Sequence, residues 1–413
     1  MTNVMNRFRK FTFALLLAVM LVPLLSATPS PSKKSAVRAQ KRIVPTMLSK
    51  VDKNEMDTWV NSTFAMLTPE ERVRQLIVVD IFPEYSEVNR ARVKKLVADQ
   101  KIGGLIYSEG DIRNQAQMTN YAQSLATIPL MITIDGEWGI QMRLSDATKY
   151  PRNLTLGAIS DDRLFYDYGR EVARQCKLMG IQVNFAPVMD VLDNPDNKVI
   201  GTRAYGESPE AVARHGISFS KGMEDGGVLS VAKHFPGHGS TIVDSHKAMP
   251  TVVKSRKELN MVELLPFRQY VNAGLSGVLT GHLSVPALEK RKIPATMSDN
   301  CVNGLLKKEM GFNGLIFTDA LVMKGANVSG SVCVNALLAG NDVLLMPPTV
   351  DEEVAAIMAA IKNGTLKQSD IDEKCKKMLR YKFALGLNHK PVVNLNTVAQ
   401  EVNSQQAAVM LRR

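Results

Sequence analysis

Cysteine is scarce in this sequence. Only four cysteines stand among its 413 residues, at Cys176, Cys301, Cys333 and Cys375. They lie far apart along the chain and form no CxxC pair, which is the spacing typical of redox and zinc sites. We therefore expect the four thiols to be mostly buried and free.

Acidic residues are absent from the first 42 positions, which hold eight lysines and arginines. The formal net charge of the whole chain is +11, and without those eight residues it falls to +3. A nucleic-acid-binding protein would need a basic face in its folded part, and none is evident here. The sequence therefore predicts no nucleic-acid partner.

A long unbroken hydrophobic run is lacking as well. Residues 11–25 are apolar, but the run is short for a membrane span and Pro23 interrupts it. A basic start before the run and small residues at Ser26 and Ala27 after it are typical of a secretory signal peptide. We predict cleavage near Ala27, no lasting membrane span, and export to the periplasm or the exterior. No cysteine lies nearby, which argues against a lipoprotein anchor.

Short apolar runs alternate with amphipathic segments over most of the chain. The amphipathic segments cover 86–101, 112–126, 161–179, 208–225, 255–273, 298–310 and 352–362. The apolar runs cover 76–82, 102–107, 130–134, 183–191, 228–232, 277–283, 314–317 and 342–346. Alternating strands and helices predict right-handed βαβ units and a parallel sheet. Eight such units favour an α/β fold of the (β/α)₈ TIM-barrel type, with an open doubly wound sheet as the main rival.

Four segments follow from this pattern: a signal peptide at 1–27, a Pro/Ser/Lys-rich linker at 28–55, the barrel at 56–390 and a helical extension at 391–413. Thr68 and Pro69 are expected to begin a helix just before the first strand. The extension begins like an amphipathic helix and then stops. A single-domain protein with a terminal helix and a piece of a longer protein both fit it.

Polar side chains directly follow five of the predicted strands. They are Asp135, Asp190, Lys233 with His234, His282 and Asp319. In a parallel barrel the carboxyl ends of the strands meet at one face, where catalytic groups lie. For any single one of these residues, capping or loop hydrogen bonding is the commoner explanation, but the convergence of five on one face favours a site.

The segment from 228 to 246 holds three of the six histidines. We expect a strand at 228–232 that ends before Lys233, followed by a loop rich in proline and glycine. Asp244 and His246 stand two positions apart, so in extended backbone they point to the same side and can form a hydrogen-bonded acid/base pair. A turn with a satisfied histidine, or zinc bound by His234, His238 and His246, is the alternative.

Five motifs in this order resemble glycoside hydrolase family 3, in its β-N-acetylglucosaminidase branch. They are IDGEWGIQMR (134–143), NFAPVMDVLDNPDNKVIGTRAYG (184–206), AKHFPGHGSTIVDSH (232–246), GHLSVPALEKRKIPATMS (281–298) and GFNGLIFTDALVMKGA (311–326). The resemblance implies a retaining, metal-independent hydrolase without a cofactor, with Asp319 as the nucleophile and Asp244 and His246 as the acid/base dyad. The residues that it implies hold the terminal sugar are Asp135, Arg143, Arg203, Lys233 and His234.

The same resemblance implies an exo-acting β-N-acetylglucosaminidase whose substrates are carbohydrates or muropeptides derived from peptidoglycan. A β-N-acetylglucosaminide phosphorylase, a metal-dependent hydrolase and a non-enzymatic wall-binding protein are the other functions considered. Trp138 fits either an apolar sugar face or core packing. We also expect His246 to move toward Asp319 when sugar binds, because the loop before it contains Pro236 and two glycines.

Overall fold

Eight parallel strands form the centre of the fold in a computed structural model that describes residues 44–241 and 248–413. The strands are β1 Ile77–Ile81, β2 Gly104–Tyr107, β3 Met131–Ile134, β4 Val183–Asn184, β5 Leu229–Phe235, β6 Gly277–Thr280, β7 Leu315–Thr318 and β8 Leu344–Leu345. Nearly all of their residues are buried, as expected for strands that are covered on both faces.

The sheet closes almost completely on itself. Neighbouring strands pair in sequence order from β1 to β7, and β1 also pairs with β8. Between β7 and β8 there is a parallel bridge from Phe317 to Val343, and the Thr318 amide donates to the Val343 carbonyl at 3.0 Å. The predicted (β/α)₈ barrel is confirmed, and the open doubly wound sheet is wrong because such a sheet leaves two free edges.

Helices surround the barrel. In chain order, α1 to α15 are Thr46–Ser49, Lys53–Ala65, Pro69–Arg74, Glu87–Lys94, Ile112–Leu125, Asn153–Leu156, Asp162–Leu178, Pro209–Asp225, Arg256–Met261, Leu264–Asn272, Val332–Ala339, Val350–Lys362, Gln368–Ala384, Val398–Val402 and Gln405–Arg412. Lys95–Asp99 and Asn300–Glu309 are π-helical, and Ile140–Met142, Gly201–Arg203, Ala295–Met297 and Lys324–Ala326 are 3₁₀ turns. The predicted start at Thr68 and Pro69 is confirmed, with a capping box between Thr68 and Glu71.

Strand β5 is longer than its apolar pattern predicts. We expected it to end before Lys233, but it continues through Lys233 and His234 to Phe235. The Met189 amide donates to the Lys233 carbonyl at 2.6 Å, and the Gly281 amide donates to the Phe235 carbonyl at 2.8 Å, so the backbone stays paired on both sides. Apolar patterning misplaced this boundary because the two buried polar side chains find partners in the site described below.

Strand β4 is shorter than expected, and one predicted helix is divided in two. The run at 183–191 gives only Val183–Asn184, since Pro187 has no N–H group to donate to a neighbouring strand. The segment at 255–273 forms α9 and α10, which are separated near Val262. Pro266 explains the break, because a proline in the interior of one continuous helix would remove a backbone hydrogen bond.

The folded part begins earlier than predicted. Residues 44–55, which the sequence suggested were linker, include α1 and the start of α2. The Thr46 amide donates to the Gly274 carbonyl at 2.9 Å, and Met47 is buried. The side chains of Thr46 and Ser276 both donate to the buried carboxyl group of Glu224. This segment is therefore fixed to the barrel.

The C-terminal extension forms two short helices, α14 and α15, where the sequence suggested one. Val398, Val402 and Ala407 are buried, and Arg174 donates to the Glu401 carbonyl at 2.8 Å. No helix in the described ranges is both long and apolar enough to cross a membrane. All four cysteines are buried and free, as expected.

Candidate active site

A cavity of about 460 Å³ opens at the carboxyl ends of the strands. Asp135 follows β3, Lys233 and His234 belong to β5, and Asp319 follows β7, and all four line this cavity. Arg143 and Arg203 reach it from the loops after β3 and β4. The barrel therefore brings Asp319 and the five predicted sugar-holding residues together around one space. His282 does not line the cavity.

Asp135 lies between two cations. Its Oδ1 is 2.6 Å from the Lys233 ammonium nitrogen, and its Oδ2 is 2.9 Å from a guanidinium nitrogen of Arg143. Burial disfavours the charged form of Asp135, but attraction to Lys233 and Arg143 outweighs it and lowers the pKa of the carboxyl group. An ionised carboxylate has about four acceptor positions, so both oxygens can still accept hydrogen bonds from a ligand.

Glu137 is a second carboxylate of this group that the sequence interpretation overlooked as a binding residue. It is 1% exposed and accepts two hydrogen bonds from Arg203, at 2.9 and 2.7 Å, while Lys233 lies 2.8 Å away. Burial opposes its ionisation, yet Lys233 and Arg203 hold its pKa well below the ordinary value. Its position two residues after Asp135 was the available signal, because alternate residues of an extended segment share a side.

Asp190 is fully buried and lies behind His234, outside the lining of the cavity. One carboxylate oxygen accepts from the Nδ1 of His234 at 2.7 Å, and the other accepts from the backbone amide of His238 at 2.7 Å. The Nε2 of His234 lies 3.3 Å from a donor nitrogen of Arg203. These partners favour the neutral tautomer of His234 with its proton on Nδ1, which leaves Nε2 as an acceptor.

Asp319 stands apart from this network. Its amide donates to the Thr280 carbonyl at 3.0 Å, and its Oδ1 accepts from the Ala320 amide at 2.9 Å. It forms no ion pair with any residue in the described ranges, and its side chain is half-buried. His282 contacts this turn, with its Nε2 3.1 Å from the Ala320 carbonyl oxygen. Asp319 thus presents to the cavity a carboxylate whose Oδ1 is held and whose Oδ2 has no hydrogen-bond partner among the described residues.

The predicted dyad, Asp244 and His246, lies outside the described residues, and its movement toward Asp319 stays a prediction. The segment that leads to it is firmly held. Asn197 donates to the carbonyls of His238 and Gly239 at 2.8 and 3.1 Å. A Cβ atom at Gly239 would lie 1.5 Å from the Val191 carbonyl oxygen, so only glycine fits there.

Other predicted roles find less support. Trp138 does not line the cavity, and the Arg152 guanidinium lies over its ring at 5.0 Å. Both nitrogens of the His234 ring are engaged by Asp190 and Arg203, which leaves neither free for zinc. Within 44–241 and 248–413, no three His, Cys, Asp or Glu side chains are grouped as a metal site requires.

Residues 68–381 match the model of the glycosyl hydrolase family 3 N terminal domain. The chain belongs to glycoside hydrolase family 3. The resemblance drawn from its motifs is thereby confirmed. The match spans all eight strands and every lining residue of the cavity described above, so the family's N terminal domain model and the barrel cover the same part of the chain.

Relatives within family 3 carry related names. Beta-hexosaminidase A of Pseudoalteromonas piscicida is 33% identical over 329 residues, which cover 71% of this chain and 55% of that protein. The Beta-hexosaminidase of Neisseria meningitidis serogroup C (strain 053442) is 35% identical over 276 residues, which cover 63% of this chain and 76% of that protein. This chain thus spans only about half the length of the first relative.

A solved family 3 structure shares the fold. The β-N-acetylglucosaminidase from Paenibacillus sp. str. FPU-7 superposes with a TM-score of 0.78 at 34% identity. The match covers 84% of this chain and 68% of that chain. Its barrel is therefore the same kind of scaffold as the one that holds Asp135, Glu137 and Asp319 here.

Proposed function

We propose that this family 3 chain is a retaining, exo-acting β-N-acetylglucosaminidase that removes terminal β-linked 2-acetamido sugars. The observation that carries the proposal is the position of Asp319. Its carboxylate faces the same cavity as Asp135, Lys233 and Arg203, with one oxygen held by a backbone amide, and no cation within 44–241 or 248–413 is paired with it. A carboxylate that is held but not neutralised is the nucleophile that a retaining glycosidase needs.

The charges around the cavity suit a neutral sugar. Four acidic side chains among the described lining residues face three basic ones, namely Asp80, Asp135, Glu137 and Asp319 against Arg143, Arg203 and Lys233. The basic groups already pair with Asp135 or Glu137, so no cation is left over to attract an anionic ligand. Sugar hydroxyls can donate to the carboxylates and accept from the remaining N–H groups.

The reaction proceeds in two displacements. Asp319 attacks the anomeric carbon and forms a glycosyl ester, while His246 gives its proton to the departing glycosidic oxygen. His246 then takes a proton from water, whose oxygen attacks the anomeric carbon and releases Asp319. Asp244 keeps the imidazole in the required tautomer and stabilises the imidazolium. A histidine with an ordinary pKa near 6.5 can serve in both steps near neutral pH.

The 2-acetamido specificity rests on the relatives, two of which are named hexosaminidases and one a β-N-acetylglucosaminidase. The signal-like residues 1–27 support export to the periplasm or the exterior, where fragments of peptidoglycan would be the available substrates. Carbohydrates or muropeptides with a terminal N-acetylglucosamine are therefore the proposed substrate class.

Hydrolysis of an aryl β-N-acetylglucosaminide tests this function. We expect wild type to release the phenol, and Asp319→Asn to lower kcat by at least about a thousandfold, because the amide cannot form the ester. His246→Ala should slow substrates with poor leaving groups more than activated aryl ones. An Asp319→Asn variant with wild-type activity would contradict the proposal. Sugar 1-phosphate as the main product in phosphate buffer would instead identify a phosphorylase.

A further inference from the structure

A second large cavity, of about 650 Å³, lies at the opposite end of the barrel from Asp319. Asp342 lines it two residues before β8, and Asn313 lines it two residues before β7, so the cavity lies at the amino ends of these strands. Residues from the end of α11 and from most of the length of α13 complete its lining. The cavity is therefore separate from the candidate active site, and nothing in the proposed reaction uses it.

Two lysines of α13 approach the carboxylate of Asp342, which is 4% exposed. The Lys377 ammonium lies 2.7 Å from Oδ2, and the Lys374 ammonium lies 3.7 Å from Oδ1. Oδ2 also accepts from the Ile316 amide at 3.0 Å. Burial disfavours the ionised carboxyl group, but the lysines lower its pKa to about 2. One carboxylate is thus shared by more than one cation.

A third ammonium group comes from Lys307, on the other wall of the cavity. It donates to the Gly340 carbonyl, and Lys374 donates to the neighbouring Asn341 carbonyl at 2.6 Å. Both carbonyls follow α11, where the helix dipole favours positive charge. Each ammonium carries three N–H donors, so these bonds do not use all the donors of the two lysines, which both line the cavity.

Positive charge exceeds negative charge in this cavity. Its described lining holds five basic side chains, Lys307, Lys367, Lys374, Lys377 and Arg380, against three acidic ones, Asp342, Asp370 and Glu373. Glu373 also lies 3.7 Å from Lys376, which is not part of the lining. Burial and the neighbouring lysines lower the pKa of Lys374 to about 8. Among the described lining residues the basic side chains therefore outnumber the acidic ones by two.

We propose that this cavity, which we call the amino-end cavity, binds a phosphate group, either as inorganic phosphate or as a phosphorylated sugar. A phosphate dianion would accept charge-assisted hydrogen bonds from the remaining N–H groups of Lys307, Lys374 and Lys377. The volume lies within the usual range for small-molecule sites, about 300–1,000 Å³. The Asn313 amide and the side-chain oxygen of Asn303, whose NH₂ group already donates to Asp299 at 2.8 Å, can bond sugar hydroxyls.

Calorimetric titration of the full chain with inorganic phosphate, at constant ionic strength held with chloride, tests the site. We expect saturable binding by wild type and at least tenfold weaker binding by Lys374→Met, which keeps the apolar stem but loses the charge. Lys376→Met is the matched control, because it removes the same charge from the same helix, while its ammonium lies over Phe64 at 4.7 Å. It should bind phosphate as wild type does.

Proton uptake gives a second readout. A bound dianion raises the pKa of Lys374, so binding near pH 8 should take up protons and its heat should depend on the buffer. Arg380→Gln should also weaken phosphate binding. It is the test variant if Lys374→Met does not fold. The affinities for glucose 6-phosphate, inorganic phosphate and glucose, measured in the same way, show whether the cavity prefers a phosphorylated sugar or free phosphate. No saturable binding above chloride, or unchanged affinity in both Lys374→Met and Arg380→Gln, would overturn the proposal.

Discussion

The guanidinium of Arg203 and the carboxylate of Glu137 form two parallel hydrogen bonds, at 2.9 and 2.7 Å, in the wall of the candidate active site. Glu137 is almost fully buried, and it belongs to a loop 66 residues away in sequence from its partner. The pair fixes the loop after β4 against the end of β3. It also neutralises Arg203, which otherwise would be a buried cation beside His234.

Removing the charge of Glu137 should therefore affect both stability and sugar binding. We expect Glu137→Gln to lower the free energy of unfolding by about 3 kcal/mol, the usual loss when one member of a buried ion pair is removed. It should also lower kcat/KM at least tenfold, because Arg203 and Lys233 lose their common anchor. Urea unfolding at pH 7 and steady-state assays measure the two effects.

The control for this pair is Asp57→Asn, which removes a partly exposed carboxylate paired with the exposed Lys53 on α2. It should leave both stability and activity at the wild-type level, because exposed pairs of this kind contribute little. A Glu137→Gln variant that unfolds at the same urea concentration as wild type would show that the buried pair does not anchor the loop.

Asp190 sets the tautomer of His234. We predict that Asp190→Asn lowers kcat/KM by about 10- to 100-fold, as the loss of a partner behind a binding histidine commonly does. The amide can still accept from the His238 backbone, but its NH₂ group would meet the protonated Nδ1 of His234 or force the proton to Nε2. The pH profile of kcat/KM should change in shape. A simple loss of active protein, with an unchanged profile, would mean that Asp190 is only structural.

Glu224 should make the protein less stable as pH rises. Burial raises the pKa of its carboxyl group to about 8 in the folded state, above the ordinary value of 4.5. The folded state therefore holds this proton more tightly, and the stability that it gives is present below about pH 4.5 and lost as pH rises toward 8. Glu224→Gln, which keeps the shape without the ionisation, should remove this part of the pH dependence.

Thermal unfolding at pH 5 and pH 8.5 tests the role of Glu224. We expect the free energy of unfolding of wild type to fall from pH 5 to pH 8.5 by on the order of 3 kcal/mol more than that of Glu224→Gln. Glu207→Gln changes an exposed carboxylate and should follow wild type throughout. Parallel pH curves for wild type and Glu224→Gln would show that Glu224 does not titrate in this range.

The cysteines should be chemically silent in the folded enzyme. All four are buried, and burial raises the pKa of the Cys301 thiol to about 11 and that of Cys375 to about 12. We expect no reaction with a thiol-specific disulfide reagent at pH 8 in the native state and four equivalents after denaturation. Reducing agents should leave activity unchanged. Rapid native labelling of even one thiol would contradict the packing described here.

The barrel was predictable from sequence because its signal is repeated. Eight apolar runs separated by amphipathic segments each predict one strand and one helix. The wrong boundaries of β4 and β5 therefore did not change the predicted fold. The β5 error is instructive, since Lys233 and His234 look like the end of a strand by polarity alone. They stay in the strand because Asp135, Glu137 and Asp190 supply hydrogen bonds that no local pattern reveals.

The candidate site was predictable in its outline and not in its pairing. Strand ends and motifs identified Asp135, Lys233 and Asp319. The role of Glu137 depends on its distance to Arg203, which is set by the packing of two loops. The amino-end cavity has no motif at all, since Lys307 and Lys374 come from segments far apart in sequence and meet only through the fold.

The anomeric form of the first product tests the central claim, that Asp319 acts as a nucleophile in a double displacement. Proton NMR of the reaction with an aryl β-N-acetylglucosaminide, recorded before mutarotation, distinguishes the two forms. A double displacement predicts the β-anomer of N-acetylglucosamine as the first product, because two inversions at the anomeric carbon restore its configuration. First release of the α-anomer would mean that water attacks directly, and it would contradict the role assigned to Asp319.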